Sequence, residues 1–174
     1  MMPTRYIDGC ALLMLATVFA CRGRTSTNMS RTEFSAPSDS AFAQVQHRGH
    51  AAMGVDQYTS THRFDPLPDG GRITLMRDSR DPAGVAQIRA HMARIAASFS
   101  RGDFSVPGFV HDRAVPGTDI MRVRRARIRY TTDTVPNGAS LRLSSTDPVA
   151  IAAIHQFLAF QRSDHRVSHA GTAD

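Results

Sequence analysis

Apolar side chains recur every third or fourth residue in two stretches of the chain, and each stretch opens with the same dipeptide. Val85, Ile88, Met92, Ile95 and Phe99 follow Asp81-Pro82, and Ile151, Ile154 and Leu158 follow Asp147-Pro148. Such spacing gathers the apolar groups on one helical face. Asp accepts hydrogen bonds from the free N–H groups of a first turn, and Pro sits where its missing N–H costs nothing. The pattern therefore predicts capped helices over 82–100 and 148–161, with Gly102 ending the first and His165 extending the stripe of the second. Another helix is predicted over 40–53, where Phe42, Val45, Gly49 and Ala52 share a face. Gly49 would let a neighbour approach that face closely, and Gly54 supplies the left-handed residue that closes the helix.

Ahead of each capped helix the period falls to two. Residues 58–64 and 72–76 flank Pro68-Asp69-Gly70-Gly71, and residues 127–132 and 140–144 flank Pro136-Asn137-Gly138, so each pair reads as a hairpin. Strand, strand, helix, twice over, predicts an α+β fold. The expected sheet is four-stranded and antiparallel, built from two β-hairpins, with both long helices on one face and the N-terminal helix alongside. Residues 103–117 carry Pro107, Gly108, Pro116 and Gly117 and read as an ordered loop, followed by a short helical turn at 119–123. Alternation turns Tyr58, His62, Phe64, Ile73, Leu75, Ile128, Tyr130, Leu141 and Leu143 toward the helices. The opposite face then carries Arg63, Arg72, Arg127, Arg129 and Arg142 among Thr59, Thr61, Thr74 and Thr131.

The first 21 residues have the pattern of an export signal, with Arg5 in a short head, an apolar run over 10–20 and small residues before Cys21. The run is too short for a membrane span. Val18-Phe19-Ala20-Cys21 resembles a bacterial lipobox, in which Cys21 would be the lipidated residue. Cleavage after Ala20 by an ordinary signal peptidase fits the same residues, so periplasmic and lipid-anchored forms both stay open. Residues 22–40 read as a flexible tether, 41–165 as a single domain and 166–174 as a frayed tail. Both cysteines fall in the leader region, which removes disulfides, cysteine nucleophiles and thiolate metal sites from the expected domain.

The formal charge is +6, and its 21 basic residues are all arginine. Guanidinium forks on a sheet face suit phosphate or carboxylate oxygens, so the arginine set is a candidate surface for an anionic envelope component or partner. A solvated antiparallel face is commonly polar and Thr-rich in any case. Nucleic acid is not expected, because the face has no aromatic platforms on which bases would stack.

A second candidate is the set of His62, His91, His155, His165, Met53 and Met121, with His111 scattered among them and His47 and His50 on the first helix. Imidazole with thioether suits copper, and imidazole alone suits zinc. The set has no diagnostic spacing, and single histidines are more often structural. Nucleophile elbows, P-loops and dinucleotide fingerprints are missing. Asp56, Asp103, Asp119 and Asp164 are available to a small hydrolase built on His and Asp.

Several runs resemble an uncharacterised family of small exported bacterial proteins. They include Met53-Gly54-Val55-Asp56-Gln57, Thr61-His62-Arg63-Phe64, Ile88-Arg89-Ala90-His91-Met92, Gly102-Asp103-Phe104 and Ala153-Ile154-His155-Gln156-Phe157-Leu158-Ala159-Phe160-Gln161. The family pattern has Phe at Val55, a second His at Arg63 and an apolar residue at Arg162. Arg63 in place of histidine weakens any metal site built on a histidine pair there. The resemblance implies export and no particular activity. The residues favour a binding protein over an enzyme, with the His and Met set as its site and copper or zinc as candidate ligands. Docking through the arginine face and the His/Asp hydrolase are the alternatives.

Overall fold

The computed structural model describes residues 34–54, 56–77 and 80–167. The segments read from sequence as a leader with Cys21, as a tether up to residue 33 and as a tail from residue 168 lie outside the described residues. Strands β1 (Ser60–Leu67) and β2 (Gly70–Arg77) form one hairpin, and β3 (Arg129–Val135) and β4 (Gly138–Ser144) form the other. They join in the order β1-β2-β4-β3, antiparallel throughout, with Ile73 opposite Leu141 at the seam. Composition explains the order. The central strands carry the buried Ile73, Leu75, Leu141 and Leu143, whereas Pro66 lies on edge strand β1 and exposed Thr131, Thr132 and Asp133 lie on edge strand β3. Proline and polar residues are tolerated at edges, where one side of the ladder needs no donor.

The helices are α1 (Asp39–Met53), α2 (Pro82–Ser100), α3 (Ser105–His111), α4 (Thr118–Val123) and α5 (Pro148–Asp164). Both expected Asp caps form: the Asp81 carboxylate accepts from the Gly84 N–H and that of Asp147 from the Val149 N–H, each at 2.9 Å. Gly54 closes α1 at φ 82°, a conformation that favours glycine. Gly49 is buried, and the neighbour against it is the Gln57 side chain.

The hairpins and helices interleave. Helix α2 follows the first hairpin but packs on β3 and β4, while α5 follows the second and packs on β1 and β2. One core results, in which Ile88, Met92 and Phe99 of α2 and Ile154, Phe157 and Leu158 of α5 meet the apolar sheet face. Helix α5 lies so near β2 that a Cβ on Gly71 would come within 2.1 Å of Leu158 Cδ1 and 3.1 Å of the Asp65 carbonyl oxygen. Leu158 is fully buried in the core, so relieving the contact means repacking its neighbours. Gly71→Ala is therefore expected to destabilise by about 2 kcal/mol, as overpacking does, read as a fall in thermal midpoint.

Three local expectations are corrected. Strand β1 begins at Ser60, and Tyr58 sits in a preceding 3-10 turn, 67% exposed rather than turned inward. Arg127 belongs to another 3-10 turn, Arg125–Arg127, so it lies off the sheet. Helix α3 occupies part of the segment read as a loop. Pro107 falls in its first turn, where a missing N–H is tolerated. The chain is also tied down before residue 41. Phe34 packs edge-on against Phe160 at 5.4 Å, the Ser163 hydroxyl donates to the Phe34 carbonyl, and Arg166 reaches both the Pro37 carbonyl and Asp39.

Candidate functional site

Helix α3 ends in His111, and α5 ends in Gln161 and Asp164, three residues apart and so on one face. The His111 ring is shut between them. Its Nδ1 pairs with Asp164 Oδ2, and its Nε2 lies 2.9 Å from Gln161 Oε1. Arg113 donates to the other Asp164 oxygen at 2.6 Å and lays its guanidinium 4.7 Å from the Phe160 ring centroid. The histidine and aspartate side chains are 1% and 4% exposed, which makes this pair the buried polar clamp between α3 and α5.

Two more histidines stack against the clamp. His165, the residue after α5, lies 5.1 Å from His62 with the rings nearly parallel at 15°, and 5.1 Å from His111 with the rings perpendicular. Phe64 flanks His165 at 5.5 Å. Burial, reinforced by the neighbouring His62 and His111, holds His165 well below the usual imidazole range. Its Nδ1 is buried with no hydrogen-bond partner among the described residues. On α2, His91 is pushed down to about 4, first by burial and then by Arg94, against an opposing hydrogen bond with the Ala52 backbone. Both imidazoles are therefore neutral near pH 7.

These groups surround a cavity of about 100 Å³ between the helices and the sheet. His62, His91, His111 and His165 line it together with Met53, Met92, Gln57 and Gln161, and the rest of the wall is largely aliphatic and aromatic. The Gln57 amide donates to Met53 Sδ at 3.8 Å. A compact apolar cavity with a few convergent polar atoms is the common form of a small-ligand site.

Of the residues expected from sequence, Met53, His62, His91 and His165 meet at this cavity, while His155 and Met121 do not. His155 points its Nε2 to the Leu67 carbonyl at 2.9 Å. Ten residues of helix separate it from His165, about 15 Å along the axis, so the two cannot serve one centre. Met121 is fully buried in the core and is absent from the cavity wall. His47 and His50 are exposed on α1.

The arginine set is divided as well. Arg63, Arg72, Arg129 and Arg142 share the outer sheet face, but Asp65 and Asp133 stand among them, so its charge is mixed. Arg142 turns to Asp69 and to the carbonyls of Gly71 and Leu143. Arg127, off the sheet, lines an open groove at the end of the sheet together with Arg129, Ser144, Ser145 and Thr146.

Sequence reasoning missed Gln57 and Gln161 and left His111 and Asp164 unassigned. A signal existed for two of them: Gln161 and Asp164 continue the buried stripe of Ile154, Phe157 and Leu158 at helical spacing. Polar residues in a core stripe need buried partners.

No family model, curated protein or solved structure matches this chain. The functional reading rests on the site itself.

Proposed function

We propose that this chain is a small exported binding protein, periplasmic or lipid-anchored, whose ligand occupies the histidine-lined cavity, and that copper or zinc is the ligand to test first. The observation that carries the reading is His165: a neutral imidazole at the cavity wall whose buried Nδ1 has no partner among the described residues. A buried polar atom left unpaired costs free energy, and a ligand that engages it recovers that cost. The hydrolase alternative is less favoured, because both His111 nitrogens face oxygens of Asp164 and Gln161, which leaves no lone pair directed at a substrate. Docking through the arginine face draws no support from a face of mixed sign.

The test is native mass spectrometry of the chain without a histidine tag, after reconstitution with Cu(I), Cu(II) or Zn(II). One ion per chain is expected, with affinity reduced by about 100-fold or more in His165→Ala and unchanged in His155→Ala. Binding that persists in His165→Ala, or none beyond what exposed His47 and His50 give, rejects the metal reading.

A further inference from the structure

The proposed site favours one kind of ion over the other. The argument rests on the reading above, that the cavity is a metal site, and begins with ring geometry. His62 and His165 stack with 15° between their planes. An imidazole holds a metal in its own ring plane, so two stacked rings do not aim their lone pairs at one atom. The ion therefore takes one nitrogen from this pair and needs its other donor from elsewhere on the wall.

The remaining wall offers few choices. His111 has both nitrogens committed to Asp164 and Gln161. His91 spends one nitrogen on the Ala52 backbone, so it adds at most one further imidazole donor. The wall has no carboxylate, and no group of three or more His, Cys, Asp or Glu able to hold a metal occurs among the described residues. The other donors on the wall are sulfur, from the thioethers of Met92 and of Met53, whose Sδ keeps one lone pair beyond the Gln57 contact; both are buried.

We infer that the cavity is a low-coordinate imidazole–thioether site selective for Cu(I) over Zn(II), with His165 Nδ1 as the nitrogen donor and Met53 and Met92 as the source of sulfur. Zinc wants four ligands in a tetrahedron and draws them from thiolate, imidazole and carboxylate. Cu(I) accepts thioether sulfur. The apolar wall suits a soft monovalent ion better than a divalent one, since taking charge out of water costs less for the smaller charge.

The experiment is anaerobic competition of the chain against a colorimetric Cu(I) chelator, a parallel Zn(II) titration, and X-ray absorption at the copper edge. The expected result is 1:1 Cu(I) binding with a sulfur scatterer in the first shell and much weaker Zn(II) binding. The double variant Met53→Leu with Met92→Leu, which conserves core volume, should lose Cu(I) affinity on the 10–100-fold scale seen when a supporting group at a metal site is lost. Its sulfur scatterer should vanish. Zn(II) bound as tightly as Cu(I), or Cu(I) binding indifferent to the Met double variant, overturns this inference and leaves the metal reading standing. Binding of neither ion overturns both.

Discussion

Replacing Asp164 with alanine is expected to destabilise the protein by about 3 kcal/mol, the upper end of the cost of leaving a buried polar group without its partner. Asp164 holds two groups of different worth. Arg113 is 55% exposed, so once released it returns to water, and its share of the loss is small. His111 has no such exit, because its ring is 1% exposed and packed between Phe160 and His165. Without the carboxylate its Nδ1 faces an apolar gap, and the link between α3 and α5 is left to the Gln161 contact. Arg113→Ala provides the control, with a loss of about 1 kcal/mol or less. Urea unfolding of the three proteins measures the difference. If Asp164→Ala costs no more than Arg113→Ala, the clamp contributes nothing to stability.

Acid is expected to unfold the protein through its buried histidines. His91 has its pKa lowered to about 4 in the folded state, against 6.5 for an ordinary histidine. Between these values the unfolded chain binds the proton and the folded chain does not, so stability rises with pH through the window. The stabilisation is complete above pH 6.5 and is lost progressively as pH falls toward 4. A shift of this size corresponds to roughly 3 kcal/mol at the acid end, reduced somewhat because His91 retains partial solvent contact. His165, lowered in the same direction by burial and by His62 and His111, adds to the loss as pH falls below 6.5. Small domains have about 5–15 kcal/mol to lose. Thermal midpoints measured from pH 7.5 to 4.5 should fall steeply below pH 6.5. His91→Gln should flatten the curve, and an unchanged slope in that variant would exclude His91 as a source of the acid sensitivity.

The site and the fold differed in how far the sequence disclosed them. Helices α2 and α5 announced themselves through Asp-Pro caps and one apolar stripe each, features that act over a few residues. The same holds for the hairpins, although β1 and β3 start two residues later than alternation suggested, which moved Tyr58 and Arg127 off the sheet. Helix α3 was hidden because Pro107 and Gly108 punctuate its seven residues, and its stability comes from packing on α1 and α5 rather than from propensity. Placing His155 and Met121 with the cluster treated histidines and methionines as a set, when a helix allows only residues on one face and at one height to share a centre.

What the chain determined locally was therefore the kind of element at each position and the face each would bury, because period and capping are interactions between near neighbours. Two decisions were left to the tertiary structure. One was that each long helix crosses to the other hairpin, so that the two strand-strand-helix units share one core. The other was that His111, His62, His165 and His91 close around one small cavity, with Asp164 clamped behind His111. His111 and Asp164 lie 53 residues apart, and nothing in their local spacing expresses a contact that exists only once α3, α5 and the sheet have packed.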